Sequence, residues 1–183
     1  MIKLDQFNNR SYERGASKAF ELAWILVRSF VFMHSIPISS AIKVIVLRFF
    51  GAKIGRGVVL RSRINISMPW RLTLGDYVWI GDDVSILSLA EVKIASHCCI
   101  SQRSFLCTGS HDFESETFDL VVKPITIEES CWVGAQCFIG PGVLMSEGSR
   151  SLAGAVVVRN TDRETTVGGV PAKVVSTRPL LTR

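Results

Sequence analysis

Apolar residues recur along this chain with two different periods. From Ala16 to His34 they fall near helical spacing, at Ala16, Phe20, Ala23, Val27, Phe30 and Val31, which predicts an amphipathic helix. Ile36-Pro37 closes that segment. Ser39 and Ser40 offer caps for a second helix over Ala41 to Phe50, and Gly51 ends it. The first fifteen residues are polar and are expected to be loosely ordered.

From Gly51 onward the period becomes six. Aliphatic residues stand at Ile54, Leu60, Ile66 and Leu72, then at Leu74, Ile80 and Ile86. After a two-residue insertion come Ile94, Ile100 and Leu106, and a last set is Ile127, Val133, Ile139 and Met145. Glycine often follows, as at Gly55, Gly75, Gly81, Gly134 and Gly140. A period of six is neither helical nor simple alternation. It suits short strands joined by sharp corners, three strands to a triangular coil, with the aliphatic residues stacked inside the prism. One such unit is a weak signal, but more than ten in near-register make a strong one. The domain plan is therefore 1–50 for the polar segment and helices, 51–175 for the β-helix, and 176–183 for a tail.

The repeat breaks between Leu106 and Ile127. A solenoid accommodates an insertion as a loop leaving its surface, and such loops often carry function. This loop, about 107–124, contains Gly109, Ser110, His111 and Asp112 and ends in Lys123-Pro124. A smaller irregularity lies at Arg150-Ser151-Leu152, where a polar residue occupies an aliphatic position. A bulge or shifted corner is expected there, because a buried serine needs a hydrogen-bond partner.

Composition narrows the classes. The 183 residues carry a net charge of +5 and a pI of about 9.1, which suits anionic partners. The basic residues form no stripe with interleaved aromatics, so nucleic acid is not expected. Five cysteines, Cys98, Cys99, Cys107, Cys131 and Cys137, form no CxxC pair and read as free, small buried side chains in a reducing cytosol. The apolar run from Leu22 to Met33 contains Arg28 and is too short to span a bilayer. Two readings of the helical region stay open: a lid on the prism, or an interfacial anchor with Arg28, Lys43, Arg48 and Lys53 facing anionic lipid at the inner face of the membrane.

The sequence resembles the hexapeptide-repeat acyltransferases, in the maltose/galactoside acetyltransferase-like branch, and most of all the colanic acid biosynthesis acetyltransferases. The residues that carry the resemblance are Leu74-Gly-Asp-Tyr-Val-Trp-Ile-Gly81, Cys107-Thr-Gly-Ser-His-Asp112 and Lys123-Pro-Ile-Thr-Ile127. They continue with Cys131-Trp-Val-Gly134, Ile139-Gly-Pro-Gly-Val143 and Gly169-Val-Pro-Ala-Lys173. The resemblance implies a left-handed parallel β-helix and a homotrimer with active sites between neighbouring prisms. It also implies acetyl-CoA as donor, direct transfer to a saccharide hydroxyl in exopolysaccharide synthesis, and no metal.

His111 is the expected general base, since an imidazole can take the proton of a hydroxyl and pass it to a departing thiolate. Asp112 either orients it or is a solvated loop carboxylate. By resemblance, a backbone N–H at the Gly134-Ala135 corner stabilises the thioester oxyanion, Trp132 packs on pantetheine, on the acceptor or at a trimer contact, and Arg159 and Lys173 either meet CoA phosphates or are solvated surface charges. Asp82 and Asp83 either accept sugar hydroxyls or serve as corner residues. His97 needs no role beyond a left-handed corner, and His34 none beyond a helix C-terminus. A serine O-acetyltransferase would need a larger helical domain. A β-helical carbonic anhydrase would need three histidines at ligand spacing, and this chain's three lack it. A catalytically silent scaffold would not need the His111 loop.

Overall fold

A computed structural model describes residues 2–177. The six-residue period builds a triangular prism of parallel two- to four-residue strands. The first face stacks Lys53–Ile54, Leu72–Leu74, Val92–Ile94, Ile125–Ile127 and Leu144–Met145. The second stacks Val59–Leu60, Trp79–Ile80, Cys99–Ile100, Trp132–Val133, Arg150–Ser151 and Thr165–Gly168, and closes with antiparallel Lys173–Thr177. The third stacks Asn65–Ile66, Ser85–Leu87, Phe105–Cys107, Phe138–Ile139 and Val156–Val157. Each strand turns one residue of its pair inward, so Ile80, Ile100 and Val133 lie on one another, each 1% exposed or less. Corners turn through left-handed residues such as Tyr77, Asp83, His97, Arg103 and Gln136, which fits the corner reading of His97.

Chain length is constant at two of the three prism edges and variable at the third. Inward residues of the first and second faces are six apart in every coil, from Ile54 and Leu60 to Met145 and Ser151. The same step joins the second face to the third. From the third face back to the first the step is eight residues from Ile66 to Leu74 and again from Ile86 to Ile94. It is 21 from Leu106 to Ile127, six from Ile139 to Met145 and four from Val157 to Thr161. Leu72 is therefore no separate stacking level; it shares a strand with Leu74 on the first face.

The expected bulge at Arg150-Ser151-Leu152 is absent. Val133, Ser151 and Val167 pair in unbroken parallel register. Ser151 is 2% exposed and finds partners inside the prism: its hydroxyl donates to the Cys137 sulfur at 3.3 Å and accepts the Gly134 N–H at 3.3 Å. Its neighbours continue the polar core, with Thr161 donating to Ser149 at 2.8 Å. All five cysteines are free; Cys98 and Cys131 donate to the carbonyls of Glu128 and Ser146.

Two helices close the first coil. Helix α1 is Lys18–Val31, capped by Ser17, and α2 is Ser40–Phe49, capped by Ser39. Trp24 is buried and donates to the Ile66 carbonyl at 3.0 Å. Phe20, Val27 and Val31 pack beside it. Phe30, expected on that inner face, instead points outward and is 76% exposed. Lys43 does not face outward either. It is 2% exposed, and its ammonium donates to the carbonyls of Leu60 and Arg61 at the open end of the prism. Burial lowers its pKa, with a smaller opposing pull from Asp82.

The first residues are ordered along the prism rather than loose. Lys3 pairs with Glu116 at 3.1 Å, and Tyr12 donates to the Leu89 carbonyl at 2.6 Å. The Phe7 ring meets His111 edge-on at 5.4 Å. The final strand runs to Thr177, so the expected tail begins inside it; positions 178–183 lie outside the described residues.

Candidate active site

The long insertion leaves the edge between the third and first faces. Its root is fixed by Thr108, fully buried, whose hydroxyl accepts the Ala90 N–H at 2.9 Å and donates to the Leu87 carbonyl at 2.6 Å. From there Gly109–His111 and Leu120–Val122 pair as an antiparallel hairpin, His111 opposite Leu120. The imidazole lies flat against Phe118, with centroids 4.2 Å apart and planes within 1°. Its Nδ1 is 2.8 Å from the Phe118 carbonyl oxygen. A carbonyl only accepts, so Nδ1 carries the proton, and in the neutral ring Nε2 keeps its lone pair. Phe118 sits in the left-handed region at φ +52°, which aims its carbonyl back at the ring. His111, Ser110, Lys123 and Pro141 line a cavity of about 320 Å³.

Asp112 serves the loop rather than the ring. Its carboxylate accepts the Glu114 N–H at 2.9 Å, an Asx turn. The far side of the loop is tied by Asp119, which accepts from Thr117 at 2.7 Å and Ser115 at 2.9 Å. Those two hydroxyls lower the Asp119 pKa.

The Gly134-Ala135 corner lies on a different edge, between the second and third faces. A Cβ on Gly134 would stand 2.6 Å from the Ser151 carbonyl, so only glycine fits under the next coil. The Gly134 N–H is already spent on that carbonyl at 3.0 Å. The Ala135 N–H has no acceptor among the described residues. At three other corners the next coil supplies one: Asp76 accepts from Arg56 N, Asp82 from Ser62 N, and Ser96 from Asp76 N, each at 3.0 Å; on the edge of Ala135 itself, the N–H groups of Asp82 and Gln102 also lack one among the described residues. The matching position above Ala135 is Ala153, whose methyl cannot accept a hydrogen bond. Trp132, Ala135, Arg150 and Ala153 line a groove of about 440 Å³. Trp132 is 53% exposed, and its Nε1 donates to Ser101 at 2.9 Å.

The other expected residues spread over both edges. Arg159 is exposed, two coils beyond the His111 loop on the same edge. Lys173 is exposed and opposite Gly168, in the last strand of the second face. Asp82 and Asp83 have a competing use as ties between coils. Asp83 grips Arg63 at 2.6 and 2.8 Å, and Asp82 holds Arg61 at 3.3 Å as well as the Ser62 N–H. The Arg63 hydrogen bonds hold Asp83 below the usual carboxylate range. For Asp82, partial burial pulls upward, but the Ser62 N–H and Arg61 together outweigh it.

No family model matches the chain. It is 40% identical over 165 residues to WcaF of Escherichia coli K12, provisionally named a colanic acid biosynthesis acetyltransferase, covering 90% of this chain and 91% of that one. The chain belongs to the hexapeptide-repeat acetyltransferase family. A more distant relative of this acetyltransferase is the galactoside O-acetyltransferase of E. coli K12, 22% identical over 147 residues, 79% of this chain and 72% of the other. Among solved structures, the hexapeptide-repeat acetyltransferase VCA0836 of Vibrio cholerae in complex with acetyl-CoA superposes with a TM-score of 0.80. It is 23% identical, with 89% and 91% of the two chains covered. A galactoside acetyltransferase in complex with coenzyme A gives 0.77 at 19% identity, over 89% and 84%. The fold of this acetyltransferase is thus the left-handed parallel β-helix.

The sequence alone does not point to two of these features. Phe118 acts through a carbonyl, which its side chain does not announce. Phe7 reaches His111 from more than a hundred positions away, with no repeat to set its register. A third, Ala153, could have been found, because the repeat aligns it with Asp76 and Asp82.

Proposed function

We propose that this chain is an O-acetyltransferase that moves acetyl from acetyl-CoA to a saccharide hydroxyl, with His111 as general base, in a pathway of exopolysaccharide assembly. The observation that carries the proposal is the Nδ1–Phe118 contact, which leaves Nε2 free to take a proton. In the reaction the hydroxyl oxygen bonds to the thioester carbon while its proton passes to Nε2. The carbonyl oxygen becomes an oxyanion, which receives the Ala135 N–H. Collapse breaks the carbon–sulfur bond, and the CoA thiolate takes the proton back from Nε2. Balance needs no metal or covalent acyl-enzyme. Trp132 would flank the pantetheine arm, and Arg159 and Lys173 would meet the CoA phosphates. Asp112 acts by shaping the loop.

His111 and Ala135 stand on different edges of one prism, and the cavities they line share no residue. A site using both needs the base of one copy and the corner of the next, which supports a homotrimer with shared sites. WcaF, by its name, points to colanic acid, and a galactoside acetyltransferase has been solved with coenzyme A, which supports the acceptor class and the donor.

The test is thiol release from acetyl-CoA over a panel of saccharide acceptors, wild type against His111→Ala. Loss of most acceptor-dependent turnover with acetyl-CoA binding retained is expected. Equal turnover in the two proteins removes His111 from the mechanism, and failure of both to bind acetyl-CoA favours a silent scaffold.

A further inference from the structure

The helical cap carries an apolar surface that nothing in the chain covers. On α1 the side away from Trp24 presents Leu22, Leu26 and Phe30, which are 58%, 54% and 76% exposed. On α2 the side away from Lys43 and Leu47 presents Ile42, Ile45 and Phe49, at i, i+3 and i+7 and 52%, 66% and 76% exposed. Ile36, in the connection between the helices, is 68% exposed. An apolar surface of this extent marks a docking site rather than ordinary surface scatter.

The charge of the same end is one-sided. From Leu22 to Gly75 there is no Asp or Glu, against eight Lys and Arg. The carboxylate just before this stretch, Glu21, is held by Arg14 at 2.7 Å. Arg56, Arg61 and Arg63 are neutralised by Asp76, Asp82 and Asp83. Lys18 and Lys53 are exposed and meet no carboxylate among the described residues, whereas Arg48 is tied to the carbonyls of Ile54 and Gly55 at 2.7 and 3.1 Å. No helix among the described residues is long and apolar enough to cross a membrane.

We infer that the α1–α2 cap seats the protein on an anionic lipid bilayer, with the apolar faces of both helices entering the headgroup–acyl boundary and Lys18 and Lys53 meeting lipid phosphates. The charge decides between occupants. A second copy docking by this face would press two net-cationic surfaces together, whereas an anionic bilayer offers both apolar depth and opposite charge. The His111 loop leaves the prism three coils beyond the cap. The inference does not depend on the catalytic proposal.

The experiment is flotation of the full-length protein with vesicles of phosphatidylcholine containing phosphatidylglycerol, and with pure phosphatidylcholine. Binding to the anionic vesicles, weakened by salt, is expected. Phe30→Ser/Phe49→Ser should reduce partitioning roughly ten-fold or more, and Lys18→Glu/Lys53→Glu should reduce it at low salt. Both Phe rings are exposed, and Phe49 touches the core edge-on at Phe50, 5.3 Å away, so the midpoint of thermal unfolding should fall by about 2–4 °C at most and turnover of a soluble acceptor should stay as in wild type. Three outcomes overturn the inference: no binding to either vesicle, equal binding to both, or binding unaffected by the Phe pair. Self-association that the Phe pair abolishes, without vesicle binding, assigns the face to a second copy instead.

Discussion

Ala153→Ser is the most informative single change. At three corners of the prism a side chain from the next coil accepts the N–H that Ala135 leaves unpaired, each time at 3.0 Å. Ser96 does so with a hydroxyl. The backbone around Ala153 repeats that geometry: Gly154 N donates to Ala135 O at 2.8 Å, as Tyr77 N does to Arg56 O. A serine hydroxyl at 153 therefore lands within reach of the Ala135 N–H and converts a waiting donor into a satisfied one. The folded state gains one hydrogen bond, about 0.5–1.5 kcal/mol. The transition state loses one oxyanion donor, about 2.7–4 kcal/mol, or roughly a hundred- to a thousand-fold in kcat. The assay pairs steady-state thiol release with thermal unfolding and acetyl-CoA affinity. The expected variant is as stable as wild type or more so, binds acetyl-CoA similarly, and turns over far more slowly. Unchanged kcat in a protein with a raised Tm would show that the hydrogen bond formed and that the Ala135 N–H does not serve the oxyanion.

Phe7→Ala removes the edge contact on the His111 ring, and an aromatic pair of that kind is worth about 0.5–1.5 kcal/mol; kcat should fall roughly two- to ten-fold with acetyl-CoA affinity unchanged, in stopped-flow and equilibrium binding measurements. Ile100→Ala, at a fully buried stacking position, should cost about 2–5 kcal/mol in denaturant unfolding, while Leu152→Ala, half exposed on the same face, should change stability by about 0.5 kcal/mol at most. Acid should weaken the second coil. Asp83 has a folded pKa held low by Arg63, so the unfolded chain binds the proton first. The stabilisation is present above the usual carboxylate range and is lost as pH falls through the depressed folded value. Asp83→Asn keeps the left-handed corner at φ +59° and should flatten that acid slope in thermal unfolding followed by circular dichroism.

The prism was legible because its period is enforced by geometry. Each strand must place one aliphatic residue inward, so Ile54, Leu60 and Ile66 mark three faces before any contact is known. The helices were legible from spacing and caps, but their inner side was not. Phe30 fits the apolar stripe as well as Trp24 does, and only docking on the first coil decides which of them is covered. Ser151 misled for the opposite reason. Local pattern rules treat a polar residue in the stack as a fault, yet the neighbouring coils supply a thiol and an N–H at the right height. The site was legible in part. His111 stands at the interruption of the repeat, whereas the groups that set its tautomer and brace its ring are a carbonyl and a distant aromatic. Lys43 shows the same limit, since its charge reads as surface until the open carbonyls of the first coil are seen beneath it.

The uneven edge has an evolutionary consequence. Two edges of the prism hold their six-residue step through every coil, because a residue gained or lost there would put the next strand's inward side chain on the outside. The third edge already absorbs steps of four, six, eight and 21 residues with the stack intact. It is a seam where the chain can lengthen without disturbing its neighbours, and the histidine hairpin occupies the longest of its excursions. Length can therefore accumulate at one seam, coil by coil, while the remaining two edges keep the scaffold.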